Sequence, residues 1–475
     1  MYNSTLLTSS NTIKARTYLL PSLVLMVTGC LLNIFAYQSF KPFVAFVIFF
    51  MLSAFFLRLP LVGGRFERVG FRLVFAVGWF MAGIAAVYAN YLNDPFQNSS
   101  DADLFFLLAI SNEELRIVSP EANQNSEGAG AVVIWRAVYD IFAAIGFEKE
   151  RYLGVLANVT FVAFSCVLAV KIARLVFGND ISRLNRLIFL FSMCGLFWLF
   201  AAIHLRDGLV LLAVTALCYV WTLYLTKPGM QSSVFTVLAT ILAFASFSFL
   251  RTEFLFVPLA MLVAGLSASF IHSNLRGTQK IYTYVIAFIG FITTGFIFLN
   301  LREALLSALF SGYFQYSEAA NLRGSSTSLG VDLIVNQPIP IRLIFGSVYL
   351  FIFPIPFWVG FQLDSAYHLF KSLNVLFFYA LIPLMLLSFW VIIRNKAVRS
   401  PSLMILFYIT IGFTLAIAGT SLEGRHLGAF LVPILVLVLL PDLNLKKYRN
   451  TYKIILITFL FIMAMLHFIW FVIKL

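Results

Sequence analysis

Apolar stretches of about 20 residues recur from one end of the chain to the other, and few folds can accommodate that pattern. A helix rises about 1.5 Å per residue, so about 20 residues cross a hydrocarbon core about 30 Å thick. Runs of this length begin near Tyr18, Pro42, Phe71, Tyr152, Leu187, Gly208, Ser233, Phe254, Ile281, Ser372, Ser402, Leu427 and Tyr452. Lipid offers no partner to a backbone donor, so each run must satisfy its own and is expected to be α-helical. The expected fold class is an all-α polytopic membrane protein, with residues 1–475 forming one integral membrane domain. Composition agrees: 11% of residues are charged and mean hydropathy is +0.95, whereas soluble domains carry about a quarter charged residues.

A further apolar run, Leu343 to Phe361, contains Pro354 and Pro356 with Gly346 and Gly360 near its ends. Prolines at that spacing interrupt the helical hydrogen-bond ladder, so this run is expected to be broken or re-entrant. Orientation follows from the excess of Lys and Arg in cytoplasmic loops. With a cytoplasmic N-terminus, Arg58/Arg65/Arg68/Arg72, Lys171/Arg174/Arg183/Arg186 and Arg276/Lys280 all fall inside. Arg394/Lys396/Arg399 and Lys446/Lys447/Arg449 do so only if the Leu343–Phe361 run does not cross. The expectation is thirteen crossings plus one re-entrant piece, with the C-terminus outside.

The formal net charge of +13 does not indicate nucleic acid, because the basic residues sit in short loops between apolar runs. Cys30, Cys166, Cys194 and Cys218 lie inside apolar runs without metal-ligand or disulfide spacing and read as core residues. The first apolar run lacks a small-residue cleavage site, so no cleavable signal peptide is expected. There is no P-loop, dinucleotide fingerprint, zinc motif or serine nucleophile elbow.

Two long loops fall on the outer side, residues 91–151 and 301–342. The first is acid-rich within a basic chain and carries amphipathic helical patterns at Asp103–Leu115 and Ala131–Ile145. Loops of this length inside a compact domain are usually functional or disordered. The second holds a polar stretch, Asn321 to Ser328, that reads as mobile.

Ionisable residues at the ends of apolar spans are functional candidates because each is costly there unless paired or hydrated. Asp101 and Asp103 open the first loop helix, as a general base, as ligands for a divalent metal, or as capping acids. His204, Arg206 and Asp207 crowd a tight turn between two apolar helices. Arg206 offers planar paired donors suited to phosphate, while Asp207 is a base, an arginine orienter or a cap. Arg251 and Glu253 form another hairpin, either as a closing pair or with Arg251 beside Arg206 to hold an anionic head group. Glu423, Arg425 and His426 gather acid, guanidinium and imidazole in one short loop, as a phosphate and proton-transfer site or as an interfacial anchor. Asp364, Tyr367 and His368 follow the broken segment and line the same cavity or a plain loop.

The acids Asp101 and Asp103, followed by Trp135-Arg136-Ala137-Val138-Tyr139 and paired amphipathic helices, resemble GT-C glycosyltransferases. The acidic pair here follows the third span, not the first, which departs from the GT-C pattern. His204-Leu205-Arg206-Asp207-Gly208, Leu250-Arg251, Pro354-Ile355-Pro356-Phe357-Trp358 and Gly424-Arg425-His426 resemble multi-spanning polysaccharide polymerases, including bacterial O-antigen and capsule polymerases. The resemblance covers most of the chain in layout.

It implies glycosyl transfer in a bacterial inner membrane, at the periplasmic face, from a polyprenyl-(di)phosphate-linked donor to a glycan acceptor. Arg206, Arg251, Arg425 and His426 would hold the phosphate, with His204 and Glu423 beside them. Asp101 or Asp103, or else Asp207 or Glu253, would take the acceptor proton. Repeat-unit polymerisation is the leading form, with a single-sugar GT-C transferase as the alternative. Membrane lipid and polysaccharide-assembly proteins are the implied partners, and nucleic acid is not. A transporter or flippase of an anionic lipid is the other class; it predicts charge near mid-bilayer and matched halves.

Overall fold

The computed structural model describes residues 18–59, 63–111, 129–251, 254–272, 280–290, 292, 295, 334, 337–353, 356–361, 365–420 and 422–474. Among these, all regular structure is helical. Eight helices are long and apolar enough to cross a bilayer: α1 (Leu19–Tyr37), α3 (Arg65–Tyr91), α7 (Arg151–Phe177), α10 (Asp207–Thr226), α11 (Met230–Leu250), α15 (Ala366–Arg394), α16 (Pro401–Gly419) and α19 (Lys446–Lys474). A bent pair, α8 (Ile181–Met193) and α9 (Gly195–Ala202), makes up to nine. Shorter apolar helices are α2 (Lys41–Phe56), α12 (Phe256–His272), α13 (Lys280–Gly290) and α14 (Ile339–Ile352). The polytopic helical class thus holds. Twelve of the thirteen expected runs carry one of these long, bent or short apolar helices.

Two runs depart from a straight span. The run beginning near Leu187 bends by 58° at Cys194. Asn374 of α15 fills the break, its Oδ1 accepting from the backbone N–H of Leu196 at 3.1 Å. The run beginning near Leu427 is two short buried helices, α17 (Gly424–Gly428) and α18 (Leu431–Leu437). Seven residues rise only about 10 Å, too little to cross as a helix. The run still joins the two ends of the bundle. Glu423 accepts from Tyr367 at the start of α15, whereas Lys447 lies over Trp390 near its other end.

The α3 and α7 helices form the centre, most of their apolar length buried, whereas α19 is almost wholly unburied and presents its apolar surface outward. Where α1 packs on α3, a Cβ at Gly29 would come within 2.9 Å of the Phe80 backbone. Small residues that let helix backbones approach are the main packing device where lipid removes the hydrophobic drive.

Basic residues gather at one end of the bundle: Arg65, Arg68 and Arg72 at the start of α3, Lys171 and Arg174 late in α7, and Arg394 and Lys446 at the facing ends of α15 and α19. The candidate residues collect at the opposite end, called here the site end. The Leu343–Phe361 run begins and ends there. Arg342 donates to the carbonyls of Ala418 and Thr420 at 3.3 and 2.6 Å, and Gly360 lies against Ser372 and His368.

Of the expected loop helices, α5 (Asp101–Ile110) and α6 (Ala129–Ala144) form, preceded by the single turn α4 (Pro95–Asn98). Residues 112–128 and most of 301–342 lie outside the described residues, as do Glu253, Asp364 and Asn321–Ser328.

Candidate functional site

The site end is built from turns that long helices hold in place. Asn158 of α7 fixes the turn between α9 and α10: its Nδ2 donates to the carbonyls of Ile203 and Leu205 at 3.0 and 2.9 Å, and its Oδ1 accepts from Trp135 Nε1 at 3.2 Å. Such a buried amide satisfies carbonyls that would otherwise be stranded where the helix breaks. His204 is thereby turned inward and fully buried, 3.0 Å from the Tyr139 hydroxyl and 4.1 Å from the Trp135 ring centre. Burial, with Arg151 nearby, pushes its pKa down to about 3, so it stays neutral. It locks α6 onto the turn, its ring against Tyr139, Trp135 and Phe106.

The next charged residues, Arg206 and Asp207, belong to a charged cluster. Asp207, 4% exposed, accepts from Arg251 Nη1 at 3.3 Å. Arg251 is itself 2% exposed, bonds His426 Nε2 through Nη2, and lies over the Phe254 ring at 5.1 Å. Arg206 is half-buried, with its guanidinium 5.5 Å from the Phe105 ring centre and Nη1 3.5 Å from the Leu250 carbonyl.

Glu423 accepts from the Tyr367 hydroxyl at 2.9 Å and lies 3.3 Å from Arg425 Nε. Burial opposes its ionisation, but Arg425, His426 and Lys371 outweigh it and hold the carboxyl below its usual range. Arg425 Nη1 is also 3.5 Å from Asp101 Oδ2. Among the described residues, the Arg425 guanidinium makes these ion-pair contacts but no aligned hydrogen bond. Its donors therefore retain capacity for an anion.

Asp101, Asp207, Arg206, Arg251, Glu423, Arg425 and His426 are thus brought into one continuous cluster. Asp103 is not part of it: it pairs with Arg151 at 2.7 Å on the other side of α5. Among the described residues no three His, Cys, Asp or Glu side chains converge on a metal-sized space. Asp101 and Asp103 each face a guanidinium instead, so the described donors do not fit a divalent ion.

Sequence reasoning missed two organising groups. Asp94 is fully buried and accepts from Phe96 N, Gln97 Nε2 and Ala366 N, tying α4 to the start of α15. Tyr367, read from sequence as lining a cavity or a plain loop, stacks on Phe96 at 3.9 Å and steadies Glu423. Asp94 immediately precedes Pro95, an N-cap signal that was open to reading.

Below the cluster an apolar groove of about 620 Å³ runs between α12 and α16, from Ile271 and Tyr408 to Phe256 and Ala416. A chain of packed, buried rings lies between its Phe256 end and the cluster. Phe256 meets Phe413, Phe413 stacks on Phe430 at 3.9 Å, and Phe254 touches both Phe430 and His426.

No family model matches the chain, and no curated protein matches it. Among solved structures it is similar to the archaeal oligosaccharyltransferase AglB from Archaeoglobus fulgidus, solved in complex with an inhibitory peptide and a dolichol-phosphate. The superposition has a TM-score of 0.45 and 13% identity, covering 83% of this chain and 54% of that one. The chain spans about half the length of that protein.

Proposed function

We propose that this chain transfers a glycosyl group from a sugar carried on a polyprenyl phosphate or diphosphate. The observation that carries this reading is the arrangement around α5. Asp101 and Phe105 are four residues apart and share a face of the helix; Arg425 meets the first and Arg206 covers the second. Two cations and an exposed carboxylate therefore surround one short helix, and the apolar groove between α12 and α16 offers a surface for a hydrocarbon tail.

The chemistry needs little else. The acceptor hydroxyl oxygen attacks the anomeric carbon, the bond from that carbon to the phosphate oxygen breaks, and the phosphate leaves with the electron pair. Arg206 and Arg425 stabilise the charge that develops on it. The hydroxyl proton passes to Asp101, the most exposed acid of the cluster, 57% accessible. Asp207, Arg251 and His426 form the buried brace beneath, with Arg251 closing off most of its own access to substrate.

The finer reading is assembly of a bacterial surface polysaccharide, such as O-antigen or capsule, with repeat-unit polymerisation as its leading form. It places the site on the extracytoplasmic face of the inner membrane, with polysaccharide-assembly proteins as partners. The basic residues at the end opposite the site support that orientation.

Membranes with and without the protein, supplied with lipid-linked repeat units, test it when the products are sized. A ladder of lengthening chains supports polymerisation, and one added sugar supports a single-sugar transferase. Unchanged glycan that has moved between leaflets overturns the enzyme reading in favour of transport.

A further inference from the structure

A second polar site lies at the basic end, remote from the cluster above. A cavity of about 450 Å³ opens where the start of α3 meets the ends of α7 and α10. Its floor holds Glu67, 1% exposed, whose Oε1 accepts from Arg174 Nη1 at 2.5 Å. Arg174 Nε donates to Asn179 Oδ1 at 3.0 Å. The guanidinium is thus fixed by two of its donors, and its Nη2 makes no hydrogen bond among the described residues. Lys171, one turn earlier on α7, lies over the Tyr219 ring at 5.6 Å, and Lys227 follows the end of α10. All of these residues line the cavity.

A buried carboxylate is costly unless it is paired, and here it holds an arginine in one orientation. Lys171 and Lys227 also line the opening, and among the described residues Glu67 is the one carboxylate that does. Planar guanidinium donors held from one side, with ammonium groups beside them, match the oxygens of a phosphate. We propose that this cavity binds an anionic phosphate group, carried by a phospholipid head group or by a soluble phosphate. The proposal is independent of the function assigned to the other end. A basic pocket between helices at the membrane surface is a suitable receptor for such a head group.

The full-length protein reconstituted in nanodiscs provides the test, with thermal unfolding and bound-lipid analysis as readouts. The probes are phosphatidylglycerol against phosphatidylcholine discs, and inorganic phosphate added to the phosphatidylcholine discs. Phosphatidylglycerol is expected to raise the unfolding temperature and to be retained above its bulk fraction. The Lys171→Gln/Lys227→Gln variant should weaken retention by about 30-fold, at about fivefold per lysine. The Lys171→Arg/Lys227→Arg variant should recover most of it. Stabilisation by inorganic phosphate alone would support the site with a soluble ligand. Identical unfolding of the native protein with all three probes overturns the proposal, whatever the variants do. Where phosphatidylglycerol does stabilise the native protein, equal retention of it by the native and Gln variants overturns the proposal too.

Discussion

Arg425 Nη1 lies 3.5 Å from Asp101 Oδ2, joining the short helix α17 to the first turn of α5. Asp103, two residues further on, faces the other way and is held by Arg151 at 2.7 Å. The two acids therefore separate in role. Asp101→Asn is expected to lower transfer by about 10²–10⁴-fold, the usual contribution of a general base. Asp103→Asn should cost stability at the level of one partly buried ion pair, about 1 kcal/mol, with transfer largely kept. Initial rates of both variants at matched protein level decide it, and equal losses would remove Asp101 from its role.

Arg206 and Arg251 also divide. Arg251 is buried between Asp207 and His426, so Arg251→Ala strands a buried carboxylate and should destabilise by about 3–5 kcal/mol. Its first symptom should be lost protein in the membrane. Arg206 is half-buried at the turn, and Arg206→Ala should leave protein level intact while abolishing glycan assembly. Immunoblot and glycan profile read the two effects separately. Normal glycan in the Arg206 variant would exclude it as a phosphate ligand.

Gly154 faces His204 and Tyr139 so closely that a Cβ there would overlap both side chains. In most helix interiors, Gly to Ala stabilises by about 0.5–1 kcal/mol. Here the sign should reverse, with Gly154→Ala costing about 1–3 kcal/mol through overpacking. Thermal unfolding in detergent checks this, and a raised unfolding temperature would show that α6 does not dock on the turn as described.

His204 supplies a pH dependence of known sign. Its folded-state pKa of about 3 lies below the ordinary 6.5. The unfolded chain therefore takes up a proton first, so stability is fully present above pH 6.5 and is lost as pH falls towards 3. The slope from this one group is at most about 1.4 kcal/mol per pH unit. His204→Gln should flatten the stability profile between pH 6.5 and 4. An unchanged profile would mean that His204 is not buried in its neutral form.

The helical membrane class was legible because lipid imposes a length and an apolarity that any reader can count. Six of the clustered residues (Arg206, Asp207, Arg251, Glu423, Arg425 and His426) were legible for a related reason: charge at the end of an apolar run stands out. Long-range pairing was not. Neither the Arg425–Asp101 approach nor the Asp103–Arg151 pair leaves a local trace. The break at Cys194 depends on Asn374, far along the chain, and apolar length alone could not show it. The run near Leu427 looks like a span by composition, yet its central helix, α18, is short and wholly enclosed by neighbours.

A single-turnover assay follows the step in which Arg425 and its neighbours would draw a sugar from a lipid phosphate. Purified protein in liposomes would be given a labelled polyprenyl-linked glycan with acceptor, and the label followed as it leaves the lipid. The native protein should form a new glycosidic bond and release the lipid phosphate in equal amount. Arg425→Ala should slow that step by about 10²–10³-fold, and Arg425→Lys should recover little, because an ammonium lacks the paired planar donors. Release at the native rate in Arg425→Ala would remove Arg425 from the transfer step, and no covalent transfer by the native protein would mean that the cluster does no glycosyl chemistry.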